Sequence, residues 1–181
     1  YSAAGIASTP LFYGNRVIAQ TDTPPARVAL VKTDDRRRGV QVAVDLLSFN
    51  DMNGARVLIK PNFNTADPAP GGTHNDTLAQ VITELRGRGA DGITIGESSG
   101  PPQTSTVFEQ KGIYSLAEDM KVRLVNFEEL AEDEWEHFSP QGIHWKEGFS
   151  LPRMVTGAER MVSVCCLKTH GFGGVFTMSL K

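Results

Sequence analysis

Three short segments carry the side chains best suited to chemistry: Lys60-Pro61-Asn62, Glu97-Ser98-Ser99-Gly100 and Lys168-Thr169-His170. Each follows an apolar run. A lysine placed directly after such a run is informative, because its ammonium is costly to bury without a counter-charge. Lys60 and Lys168 are therefore expected to pair with a carboxylate such as Glu97, or with an anionic ligand. Asn62 offers both donor and acceptor. Ser98, Ser99 and Gly100 can supply hydroxyl and backbone donors of the kind that cradle phosphate or carboxylate. His170 is open to three readings, as proton carrier, metal ligand or satisfied loop histidine. Thr73 and His74 precede a predicted helix, where a hydroxyl or a neutral imidazole can meet a bound anion. No single set of ligands with metal spacing stands out, and no HExxH, P-loop or GxSxG motif occurs.

These segments matter only if a fold gathers them. Arg56–Ile59, Asp91–Gly96 and Arg160–Leu167 read as strands, the last as one covered on both faces. Arg27–Val31 reads as an earlier strand that starts the sheet, and Val122–Val125 as another. Helices are predicted after Asp34 or Asp35, which can cap, and from Asn75 or Asp76. In the second, Leu78, Val81, Ile82 and Leu85 fall on one face. Thr104 is expected to cap a helix through Gln110, with a further short helix from Tyr114 to Met120. The Pro- and Gly-rich stretch from Phe63 to Thr73 is too long for a simple connector and is a candidate functional loop. Gly142–Trp145 and Phe149–Leu151 are expected to form a small hairpin.

Strands alternating with helices imply right-handed crossovers and a mostly parallel sheet with helices on both faces, an α/β, Rossmann-like class. In such a sheet ligands bind outside the carboxyl ends of the strands, where all three segments emerge. Residues 1–25 read as an amino-terminal arm and 26–181 as the α/β domain. The small, weakly apolar opening Tyr1–Pro10 leaves two readings open: the tail of a twin-arginine export signal, with a periplasmic location, or an ordinary arm of a cytoplasmic protein. The chain ends at Lys181 inside an apparent helix, so an incomplete domain is expected.

Composition narrows the partners. The 181 residues are 40% hydrophobic and 22% charged, the balance of a folded globular chain. A net charge of -3 provides no general basic field for nucleic acid. The run Arg36-Arg37-Arg38 follows Asp34 and Asp35 and reads as a solvated helix start. No apolar run is long enough to span a bilayer. The two cysteines, Cys165 and Cys166, are adjacent, which excludes a disulfide framework and offers no iron–sulfur spacing. They are expected to be buried on the last strand. No motif of the sequence specifies a cofactor or an oligomeric state.

Val57–Asn62, Gly89–Gly100 and Leu167–His170 together resemble the DUF362 family in order and approximate spacing, over roughly residues 27–181. The resemblance implies a domain of unknown function, with a later lysine-asparagine pair whose lysine Lys181 would match. Some relatives carry ferredoxin-like cysteine motifs, which implies redox association for those members. The expected function is an enzyme or redox accessory acting on a small anionic substrate. In this reading Lys168, His170 and Glu97 are catalytic, and Lys60, Asn62, Thr73, His74, Ser98, Ser99, Thr169 and Lys181 bind the ligand. The rival is a non-catalytic module that holds an anion or a partner's carboxylate.

Overall fold

The computed structural model describes residues 26–48, 52–140 and 144–169. His170 and Lys181 lie outside them, as do Gly142, Ile143 and the arm. The strands β1 (Arg56–Pro61), β2 (Gly92–Glu97), β3 (Arg123–Asn126) and β6 (Arg160–Val164) form one sheet in the order β3-β2-β1-β6. All three pairings are parallel, with Ile59 opposite Ile95, Pro61 opposite Val164 and Glu97 opposite Asn126. The fold is α/β, with a four-stranded parallel sheet flanked by helices.

Alternation along the strands sorts the two faces. Val57, Ile59, Ile93, Ile95 and Val164 join the core. They pack with Leu78, Ile82 and Leu85 of α2 (Asn75–Gly87), Val107 and Phe108 of α3 (Thr104–Gln110), and Ile113 of α4 (Ile113–Asp119). The i, i+4, i+7 spacing of the α2 residues puts all three on the face turned to the sheet, and each is at most 3% exposed. Burial of each such side chain contributes about 1.5–3 kcal/mol. On the opposite face Phe127 lies against Gly96, where an added Cβ would come within 2.4 Å of its ring. The short α5 (Arg153–Thr156) stands across a cleft of about 220 Å³ lined by Leu58, Thr94, Arg123 and Met154.

The helix α1 (Arg36–Leu47) is capped by Asp35, whose carboxylate accepts the Arg38 amide at 3.0 Å. It buries no residue. Ion pairs hold it to α2 and the turn beyond, Arg37 to Asp76 at 3.0 Å and Asp45 to Arg88 at 2.7 Å.

Five local expectations are corrected. Arg27–Val31 forms no strand, and Val28 and Leu30 are 89% and 93% exposed. Its apolar, β-branched composition signals a strand, but it pairs with no described strand. The last strand ends at Val164, lies at the edge of the sheet among the described residues, and leaves one face open, with Met161 48% exposed. Cys165 and Cys166 consequently lie beyond the strand and are only half-buried. Phe149 belongs to β5 (Phe149–Pro152), which pairs antiparallel with β4 (Trp135–Phe138), not with His144-Trp145. The stacked Phe138 and Phe149 rings, 5.1 Å apart, fix that register within an acidic stretch that obscured it. Finally, Gln103, held extended after two prolines, occupies the cap position of α3, and Thr104 is its first helical residue.

Candidate functional site at the carboxyl ends of β1 and β6

The chain winds outward from β1 through β2 to β3 and then returns to add β6 on the other side of β1. The reversal makes the carboxyl ends of β1 and β6 neighbours, the place where ligands bind in such sheets. A cleft of about 310 Å³ lies there. Thr73, His74 and Thr77 form one wall, Val164 to Leu167 another, and Ala69, Pro70 and Arg36 complete it.

The segment Gly71-Gly72-Thr73 bridges the two strand exits. Thr73 is 2% exposed, and its hydroxyl oxygen accepts the Asn62 amide at 2.8 Å while donating to the Val164 carbonyl at 2.5 Å. Its own amide donates to the Asn62 carbonyl at 3.0 Å. Further along, Cys166 Sγ donates to the Gly72 carbonyl at 3.2 Å, and Lys168 Nζ donates to the Gly71 carbonyl. Residues 164, 166 and 168 thus meet residues 73, 72 and 71 in succession. Asn62 Nδ2 reaches the same Gly71 carbonyl at 3.5 Å. Gly71 has no room for a side chain, since a Cβ would meet Asp67 Cβ at 2.7 Å and the Pro68 carbonyl at 2.9 Å.

Lys60 and Glu97 form an ion pair across β1 and β2, with side chains 15% and 1% exposed. The other Glu97 oxygen accepts the Phe63 amide at 2.9 Å, and the paired oxygen also accepts the Ser98 amide at 2.9 Å. Lys60 donates further to the Pro61 carbonyl at 3.2 Å. Burial holds the Glu97 carboxyl above its ordinary range, and the Lys60 charge and the two amides offset only part of that. The pair meets the predicted need of Lys60 for a counter-charge and ties both strand exits in place.

The remaining expected residues divide by what their polar atoms already do. Ser99 Oγ donates to the Phe63 carbonyl at 2.7 Å, and its amide donates to Thr104 Oγ1 at 2.7 Å. Ser98 and Thr169 are exposed. His74 is the cap of α2: its Nδ1 accepts the Asp76 amide at 3.1 Å, so a neutral ring carries its proton on Nε2. Neighbouring Asp76 is held below the ordinary carboxylate range, chiefly by its hydrogen bond from Arg37.

Arg36, Thr77 and Lys111 were not among the residues expected at the site. Lys111 Nζ lies 5.1 Å from the centre of the Phe63 ring and donates to the Asp67 carbonyl at 3.4 Å, bracing the loop from outside. Burial lowers its pKa, against the opposing pull of Cys166 and Asp67. Thr77 was concealed as an ordinary first-turn residue, and Arg36 inside a run of three arginines. Among the described residues no three His, Cys, Asp or Glu side chains gather as metal ligands, and no helix is long and apolar enough to cross a membrane.

A parallel sheet resumed on the far side of its first strand, with a cleft at the reversal, defines an α/β protein of Rossmann-like type. The family follows from the sequence match to that frame: the model of DUF362, a domain of unknown function, covers residues 57–181, and the chain belongs to this family. No curated protein and no solved structure matches it.

Proposed function

We propose that the chain binds a small anionic ligand at the carboxyl ends of β1 and β6 and acts on it as an enzyme or redox accessory. The observation that carries the reading is the cleft at the winding reversal, walled by Thr73 and His74 on one side and by the chain leading to Lys168 on the other. Lys168 supplies positive charge two residues beyond the Cys166 wall, and His170, the expected proton carrier, follows after two more. Thr73 acts as a wall rather than as a donor to ligand, because its proton is already given to Val164.

The state of Lys60 favours the non-catalytic module as a second reading. Its charge is matched by Glu97, and every Glu97 oxygen is engaged. Lys60 and Glu97 then anchor the loops, and the electrostatic work falls to Lys168 and the cleft.

Amide resonances recorded during titration with acetate and with inorganic phosphate test the site. Binding there shifts Thr73, His74, Thr77 and Cys166 together, and Lys168→Ala weakens the titration several-fold. Shifts scattered elsewhere, or an unchanged affinity in Lys168→Ala, refute the clamp. Proton transfer is tested separately with His170→Gln, which in the catalytic reading abolishes turnover while ligand affinity stays within a factor of a few.

A further inference from the structure

Of the three consecutive arginines at the start of α1, two are engaged: Arg37 pairs with Asp76 at 3.0 Å, and Arg38 Nη1 donates to Gln41 at 2.7 Å. The Arg36 side chain makes no hydrogen bond among the described residues, and Arg36 is the one that lines the cleft. Asp76 feels the charge of Arg36 but takes its hydrogen bond from Arg37, so two arginines stand around one carboxylate. The polar wall therefore keeps a net positive character, with Arg36, the His74 ring and the Thr77 hydroxyl on it.

The remaining lining is of a different kind. Ala69, Pro70, Val164 and Leu167 contribute apolar surface to the same cleft, and Leu167 is 72% exposed at its edge. Packing of the described core does not account for an exposed leucine at that position. A doubly charged, fully hydrated anion would satisfy Arg36 but would be pressed against a surface that cannot solvate it. An anion with an apolar body satisfies both walls at once.

We infer that the ligand of this cleft is an amphipathic monocarboxylate, whose carboxylate is recognised by Arg36 and whose apolar part lies against Pro70, Val164 and Leu167. This rests on the proposed site and goes further in naming the ligand class and the residue that selects it. A guanidinium suits a carboxylate because its planar fork can bind both oxygens. The volume of about 310 Å³ suits a small molecule rather than a polymer.

The test is a binding series on the intact chain with acetate, butanoate, hexanoate and inorganic phosphate, repeated in Arg36→Gln and in Arg38→Gln. Affinity is expected to rise roughly fourfold for each methylene buried. Arg36→Gln is expected to weaken hexanoate about tenfold or more, the loss of a charged hydrogen bond, whereas Arg38→Gln leaves it unchanged. Arg36 is exposed, so its replacement should leave the thermal midpoint unaltered, and that is measured alongside. Affinity flat along the carboxylate series, or phosphate binding more tightly than hexanoate, overturns the ligand class while leaving the site. Equal loss in both arginine variants overturns the role of Arg36. Absence of cleft resonance shifts with every anion overturns the site itself.

Discussion

Lys60→Met probes Glu97, the most deeply buried charged side chain among the described residues. Methionine is close to lysine in length and packs adaptably, so the substitution removes the ammonium while disturbing packing little. Glu97, 1% exposed, is then left without its cation. Breaking a buried ion pair from one side costs about 3–5 kcal/mol. Two features place this case toward the lower end of that range: the carboxylate keeps the Phe63 and Ser98 amides, and Lys60 retains some access to water. The pH dependence supplies the sharper signature. The folded-state pKa of Glu97 is raised above its ordinary value of 4.5, so the folded chain binds this proton more tightly than the unfolded chain. The associated stability is fully present below the unfolded pKa and falls as pH rises through the folded one. Removing Lys60 raises the folded pKa further, which widens and steepens that decline. Urea denaturation of the native chain and of Lys60→Met, between about pH 5 and about pH 8, reads both effects. The difference between the two chains should grow with pH and narrow toward the acid end. Lys60→Met/Glu97→Gln, which keeps an oxygen for one amide and carries no charge, should recover most of the loss. A Lys60→Met cost below about 1 kcal/mol, unchanged across that range, is the value for a solvated surface pair and would refute the buried-pair argument.

Other perturbations test the frame around the cleft. Thr73→Val leaves the Asn62 amide and the Val164 carbonyl without their partner and should cost about 2–4 kcal/mol in chemical denaturation, with Thr73→Ser recovering the greater part. Gly96→Ala drives a methyl group into Phe127 and should cost about 1–3 kcal/mol by overpacking. Combined with Phe127→Leu it should cost less than the sum of the two single changes in a double-mutant cycle. Val28→Ser/Leu30→Ser should shift stability by no more than about 0.5 kcal/mol for each residue, because both side chains are already in water. A larger loss by thermal denaturation would show that the Arg27–Val31 run is packed after all.

Much of the frame was legible in the residues themselves. The strands β1, β2 and β3, the α2 stripe and the Asp35 cap all follow from interactions a few residues long: alternation, helical spacing and a carboxylate placed ahead of free amides. The attachment of a lysine to the end of an apolar run likewise announced that a counter-charge was needed, and Glu97 stood at the matching end of the next strand. Local pattern misled where pairing was at issue. Arg27–Val31 has the composition of a strand without a described partner, and β4 lay hidden in an acidic stretch until Phe138 met Phe149.

Tertiary structure decided the rest, because the deciding contacts join residues far apart in the chain. The lysines at the ends of β1 and β6 were expected to share a crevice, but no local pattern dictated that these two strands pair, and that pairing creates the winding reversal and the cleft. Nor could the sequence distinguish Arg36 from Arg37 and Arg38, whose types are identical: Arg38 turns to Gln41 of its own helix, and Arg37 finds Asp76 only through the packing of α1 on α2. Residue type states what a side chain is able to do; the geometry of its neighbours determines which of those capacities is already spent, as with Lys60, and which remains open to a ligand.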